Sequence, residues 1–235
     1  GDTFRVIPHW TLNTLFPGGQ SLYTSSIFVP QSSILLPSDT TAGINIASSN
    51  VYYYYTGSSF GGPGWRKTGD LSDLFPDVVL PPDSFFTVRH PASTSDTQLV
   101  LVGNVPMSAQ SVVVNNLAAN TQQDNAVSLP VPVSVTLADT GLYPNVIAGT
   151  SAFVPSDSLL VFDPTQVAQN KAASAVYYYY TGSSFGGPGW RKTGDLTTIR
   201  DTDLLTPGLG FIIRRGARSS PDSVVWTYSP FYLNP

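Results

Sequence analysis

Twenty-one consecutive residues, VYYYYTGSSFGGPGWRKTGDL, occur twice without a single change, at 51–71 and again at 176–196, and no other feature constrains the chain as tightly. The copies start 125 residues apart. At that spacing the match extends without a gap back to Phe28, Val29 and Pro30 against Phe153, Val154 and Pro155. Forward, it reaches Phe86 and Arg89 against Phe211 and Arg214. A two-residue adjustment adds Leu15 and Pro17 against Leu142 and Pro144. A duplication on this scale predicts two tandem units of like construction, since each copy repeats the same local preferences. The expected boundaries are 1–114 for the first unit and 126–235 for the second, with a linker at 115–125 where Asn and Gln cluster.

Identity is uneven. It is complete in the block but falls to 9 of 23 positions over 28–50 and 4 of 20 over 72–91, each compared with its counterpart. A packed core accepts hydrophobic exchange when volume is kept, so packing alone does not explain an unchanged block that includes turn residues. Two explanations stand. One is recent gene conversion; the other is a surface that both units present to one kind of partner.

The block itself reads as a β-hairpin: an aromatic, β-prone run from Val51 to Thr56, a Gly-rich connection, and a second extended run from Trp65 to Thr68. Further strands are expected at 4–7, 26–29, 34–36, 85–89, 99–102, 111–114 and 127–136. In the second copy they fall at 159–162, 176–181, 211–215 and 224–228. Twenty prolines and twenty glycines punctuate them, and only 165–175 offers a helical turn or two. Charged residues make up only 11 % of the chain and all fifteen acids are Asp, so the Glu and Lys that clothe helix surfaces are nearly missing. The fold expected is all-β, with two tandem sandwich or barrel-like repeats, either separate or fused with pseudo-twofold symmetry.

Composition also removes functions. A net charge of −4 without a basic run argues against nucleic acid as a partner, and no apolar run is long enough for a membrane-spanning helix. Without cysteine there is no thiol catalysis and no Cys-ligated metal. The size of the chain lets it fold without metal or disulfide, and no cofactor is expected. The start at Gly1 and the single methionine, Met107, predict that a leader has been removed, which fits export.

Catalytic motifs are present only in outline. Gly57-Ser58-Ser59-Phe60-Gly61 and its copy ending at Gly186 match G-x-S-x-G, but Pro63 and Pro188 forbid the helix that a nucleophile elbow requires. His9 and His90 lie outside the block. The loop aspartates Asp70, Asp73 and Asp77 lack the spacing of a known calcium loop. No catalytic residue and no metal ligand is expected, and the chain reads as a non-enzyme.

Binding is another matter, because Tyr, Trp and Arg dominate interaction hot spots. The candidate interface or ligand-binding residues are Tyr52, Tyr53, Tyr54, Tyr55, Trp65 and Arg66, repeated as Tyr177, Tyr178, Tyr179, Tyr180, Trp190 and Arg191. On a strand alternate tyrosines share a face, so both faces are aromatic, and each is either interior or offered to a partner.

The stretches IPHWTLNTLFP, PSDTTAGIN, VVLPPDSFFTVR, VSLPVPVSVTLADTGL and LLTPGLGFIIR resemble an uncharacterised family of exported bacterial proteins from the planctomycete and verrucomicrobial lineage. The resemblance covers most of the chain and implies export and a β fold. It carries no activity and no catalytic residues, and the tyrosine-rich hairpin is similar to that family's variable aromatic segment. The function expected is therefore that of a structural subunit of an extracellular or cell-surface filament, sheath or layer, assembling with copies of itself through repeat-to-repeat contacts. The alternative is a carbohydrate-binding module or adhesin with glycans as partners and tandem aromatic sites.

Overall fold

Residues rich in Val, Ile and Tyr, broken every few positions by Gly, Pro or Asn, fold as short antiparallel strands in a computed structural model. It describes residues 8–48, 50–92, 97–102, 105–129, 131–166 and 168–233. The strands are β1 (Ser33–Leu36), β2 (Asn50–Tyr55), β3 (Gly64–Lys67), β4 (Thr87–Arg89), β5 (Gln110–Asn116), β6 (Gln123–Ser128), β7 (Val135–Thr136), β8 (Ser158–Val161), β9 (Ala175–Tyr180), β10 (Gly189–Lys192), β11 (Leu204–Leu205), β12 (Gly210–Arg215) and β13 (Asp222–Tyr228). Among the described residues helix is confined to short turns such as Leu12–Leu15, which Thr11 caps through its side chain. The protein is all-β.

Two compact units divide the chain. The first comprises Gly1–Pro37 with Ser48–Gly103, the second Ser38–Ala47 with Asn104–Pro235. In the first unit one sheet runs in the order β3-β2-β1-β4; in the second the order is β10-β9-β8-β12-β6. β1, β2 and β3 stand 125 residues before β8, β9 and β10, and β4 matches the middle of β12. Among the described residues no ladder closes either sheet into a barrel.

Each unit has its own core. In the first, Leu12, Phe16, Ile34, Tyr52, Trp65 and Leu80 pack together. In the second, Val112 and Val114 of β5 and Trp226 and Tyr228 of β13 meet Leu159, Trp190, Phe211 and Ile213 of the larger sheet. The alternation of β13 makes this possible: Trp226 and Tyr228 point inward while Val225 and Thr227 face water.

Several sequence expectations need correction. The stretch 115–125 is no linker, since it holds the end of β5, a turn and the start of β6, all in the second unit. Asn125 is the reason: its side-chain amide accepts from the Asn115 N–H at 2.7 Å and donates to the Asn115 carbonyl at 3.0 Å, standing in for a ladder pair. An asparagine cluster reads as a loop, but here the amides cross-link two strands. The expected strand at 127–136 is interrupted, ending as β6 and resuming as β7. Residues 26–29 form no strand and bend at 27–29, and no helix forms among the described residues of 165–175. The expected strand at 4–7 lies outside the described residues. Residues 99–102, expected as a strand, belong to no helix or strand and have no ladder partner among the described residues.

Candidate functional site

The duplicated block forms the hairpin its sequence predicts. In the first unit Tyr52, Tyr53, Tyr54 and Tyr55 stand opposite Lys67, Arg66, Trp65 and Gly64, and in the second Tyr177, Tyr178, Tyr179 and Tyr180 stand opposite Lys192, Arg191, Trp190 and Gly189. Strand alternation then sorts the side chains. Tyr52, Tyr54 and Trp65 share the face that enters the main core, where the rings of Tyr54 and Trp65 meet edge to face at 5.6 Å. Tyr177, Tyr179 and Trp190 do the same, and Tyr179 also stacks on Tyr143 at 3.5 Å.

The opposite face is covered too. Tyr53 and Tyr55 close on Ile27 and Leu71, and Tyr178 and Tyr180 on Ala152 and Leu196. Tyr53 Oη donates to the Ile27 carbonyl at 2.7 Å and Tyr178 Oη to the Ala152 carbonyl at 3.0 Å, so the segments 25–29 and 150–154 lie against this face. Residue for residue, the tyrosines are buried or half-buried, and Trp65, Trp190, Arg66 and Arg191 are at most 1 % exposed. Each unit keeps the aromatic faces of its expected patch inside itself.

The arginines explain part of the block's constancy. Arg66 donates through Nη2 to the carbonyls of Phe60 (2.6 Å) and Gly62 (2.9 Å) and through Nη1 to that of Asp73 (3.0 Å). Arg191 donates through Nη2 to Phe185 (3.0 Å) and Gly187 (2.7 Å) and through Nε to Leu196 (2.9 Å). The recorded acceptors of both guanidiniums are main-chain carbonyls. Each guanidinium also lies over a tyrosine ring, Arg66 on Tyr55 at 5.9 Å and Arg191 on Tyr180 at 5.6 Å. Five donors in a fixed plane can hold three chain segments at once, which a lysine cannot. Gly57 is equally constrained: a Cβ there would stand 2.2 Å from Tyr55 Oη, and Gly182 meets Tyr180 Oη at the same distance.

Above this clamp the turn Ser59–Gly62 closes with a bond from the Gly62 N–H to the Ser59 carbonyl at 3.1 Å, and both central residues have positive φ, 54° at Phe60 and 83° at Gly61. Phe185 and Gly186 repeat this at 54° and 84°. A left-handed phenylalanine is costly, by something on the order of 1–3 kcal/mol, and persists only where its surroundings dictate it. Its ring is thereby turned outward. Phe60 and Phe185 are 48 % and 39 % exposed, and each meets a more exposed ring edge to face, Phe28 at 5.8 Å and Phe153 at 6.0 Å. Phe60 and Phe185 are the exposed aromatics of the hairpin turns, Phe28 and Phe153 their partners from the preceding bends, and sequence reasoning did not single these four out. The available signal was a Phe placed between Ser and Gly in a turn, together with the repeated Phe-Val-Pro outside the block.

The hydrolase-like serines, Ser59 and Ser184, are exposed turn residues. His90 presents Nδ1 to Ser32 Oγ at 2.9 Å and Nε2 to Thr97 Oγ1 at 2.8 Å. Ser32 is 1 % exposed and its oxygen also accepts from the Tyr23 N–H, so this pair serves packing. Among the described residues no three His, Cys, Asp or Glu side chains gather as metal ligands would, and no helix is long and apolar enough to cross a membrane.

Burial raises several tyrosine hydroxyls above their usual range, including those of Tyr52, Tyr53 and Tyr178. Tyr177 is pushed up to about 12, first by burial and then by its hydrogen bond to Asp203 Oδ2 at 2.8 Å. In the unfolded chain these groups ionise near pH 10, so their contribution to stability is complete below that pH and is lost as pH rises toward 12. Denaturation midpoints measured across this window should fall steeply, and Tyr177→Phe should make the fall shallower. An unchanged slope in that variant would remove Tyr177 from the account. No family model, no curated protein and no solved structure matches the chain.

Proposed function

We propose that the chain is a non-catalytic structural subunit of an extracellular filament, sheath or surface layer, and that its partners are copies of itself. The observation that carries this reading is the segment 99–102. Leu99, Val100, Leu101 and Val102 belong to no helix or strand and are 38, 82, 54 and 83 % exposed. At the 125-residue spacing they correspond to Val224, Val225, Trp226 and Thr227 of β13, a strand that pairs along its whole length with β5. The alternation is shared, because Leu101 is less exposed than its two neighbours just as Trp226 is buried between Val225 and Thr227.

The first unit thus carries the sequence counterpart of β13 without a ladder partner among the described residues. An exposed, apolar, uncharged segment that has no ladder of its own is open to strand addition by another chain. When such a contact joins different surfaces of successive copies, it propagates as a filament unless the rotation closes. A chain with only 11 % charged residues offers little repulsion to oppose it. The extracellular setting rests on the resemblance to exported bacterial proteins.

Val100→Lys with Val102→Lys tests the reading, since charges on an edge strand block pairing. The expected result is loss of polymers in electron micrographs and a monomeric sedimentation profile, with folding stability changed by no more than about 0.5 kcal/mol. Polymers that persist in the variant, or a native protein that sediments as a monomer at high concentration, would remove the support. A second reading, carbohydrate binding, is favoured by a different surface beside Phe28 and Phe60.

A further inference from the structure

We propose that the groove beside the Ser59–Gly62 turn of the first unit binds neutral hexosyl residues of a polysaccharide, with Phe28 and Phe60 as stacking platforms and the hydroxyls of Thr24, Thr56 and Ser59 as hydrogen-bonding groups. This goes beyond self-assembly and uses a different surface. The groove, of about 500 Å³, lies between residues 24–28 and 55–60. Its two phenylalanine rings stand at 89° to each other with centroids 5.8 Å apart, so each leaves part of its face open. Phe28 is 72 % exposed.

The lining chooses the ligand class. No charged side chain lines the groove, which disfavours an anionic or cationic ligand. Thr24, Thr56 and Ser59 are exposed, and their hydroxyls make no hydrogen bond among the described residues, so donors and acceptors stand free beside the rings. A hexose presents an apolar C–H face for the rings and a rim of hydroxyls for the threonines and serine, whereas an apolar peptide anchor would leave those hydroxyls without partners.

Both walls are set before any ligand arrives. The Phe60 wall is held by Arg66 from below, through the Phe60 and Gly62 carbonyls. The Phe28 wall is held by Tyr53 at the Ile27 carbonyl and by Ser26 Oγ, which accepts from the Val29 N–H at 3.1 Å. A site held in its bound shape loses less entropy on binding.

The second unit keeps the ring pair, Phe153 and Phe185, at 6.0 Å and 85°. It has Gly149 where the first has Thr24, and its Thr181 hydroxyl is engaged with the Thr150 carbonyl at 3.3 Å. The second ring pair is therefore the weaker site.

The 235-residue protein is titrated with cellohexaose, maltohexaose and mannohexaose by calorimetry, beside trigalacturonic acid as an anionic control. At least one neutral hexaose should bind saturably and the control should not. Phe28→Ser and Phe60→Ser should each weaken that binding about tenfold, Thr56→Val a few-fold, and Phe153→Ser less than Phe28→Ser. All four positions are solvent-exposed, and unchanged melting curves verify that the fold is kept. No binding by any of the three hexaoses, or binding unaffected by Phe28→Ser and Phe60→Ser, overturns the proposal. So does a groove that takes an apolar peptide and no sugar. Sedimentation of the Val100→Lys/Val102→Lys protein is read separately, so failure here leaves the self-assembly reading standing and failure there leaves this one.

Discussion

Tyr53→Ser with Tyr55→Ser, and in a second protein Tyr52→Ser with Tyr54→Ser, are both expected to destabilise the first unit severely. Tyr53 is 1 % exposed and Tyr55 6 %, on the face closed by Ile27 and Leu71; Tyr52 is 5 % exposed and Tyr54 half-buried, on the face of the main core. Loss of one buried aromatic ring costs about 3–5 kcal/mol, and a whole domain has only about 5–15 kcal/mol to lose. Either double change should therefore unfold the unit or bring it to the edge of unfolding at room temperature, as read by denaturant titration followed through near-UV circular dichroism. The matched changes at Tyr178 with Tyr180 and at Tyr177 with Tyr179 should behave alike in the second unit. A variant that keeps its denaturation midpoint and loses only association would show that its tyrosine face is external, contrary to the packing described above. Phe60→Ser is the internal contrast: it changes an exposed ring in the same block and should stay within about 0.5 kcal/mol of the native protein.

The second large effect is expected at the guanidinium clamp. Arg66→Met keeps the stem and removes the donors, leaving the carbonyls of Phe60, Gly62 and Asp73 without them. A buried acceptor without a partner costs about 1–3 kcal/mol, and water can reach some of these turn carbonyls, so roughly 2–4 kcal/mol is expected for the variant. Arg191→Met should have a similar effect, because its Nη2 meets the Phe185 and Gly187 carbonyls in the same way and its Nε meets that of Leu196. The local signature is a turn that no longer holds Phe60 at positive φ, visible as faster amide exchange at Gly62, whose N–H closes the turn. Arg66→Lys should recover less than half the loss, because one ammonium cannot span the three segments. A stability change under about 1 kcal/mol in Arg66→Met, with unaltered exchange at Gly62, would reject the clamp.

The identical block now has a physical account that needs no common external partner for most of its positions. Tyrosines on both faces, a buried arginine bound to turn carbonyls, and a glycine against a tyrosine hydroxyl each tolerate little exchange. What they hold in place, the outward Phe60 and Phe185, is what a ligand would meet.

Much of the fold was legible in the chain itself. The 125-residue spacing placed equivalent strands at β1 and β8, β2 and β9, and β3 and β10, and the aromatic run followed by a Gly-rich turn placed the hairpin. Both follow from local preference, which a sequence carries at every position. The interior of the hairpin was legible only as a two-way choice, because alternation says which tyrosines share a face and not what covers that face. The covering came from residues 25–29 and 150–154, segments with no periodic signal, joined to the hairpin by the bridges of Ser25 to Tyr55 and Thr150 to Tyr180 and by the hydroxyls of Tyr53 and Tyr178. The Asn-rich stretch at 115–125 misled for a related reason: an amide side chain bonds turns and strands equally well, and only the partner brought up by the fold decides which. The sequence by itself determined the all-β class and the two copies of the hairpin with their spacing. Tertiary structure alone decided that the tyrosines and arginines lie inside and four phenylalanines outside, because burial depends on contacts between segments far apart in the chain.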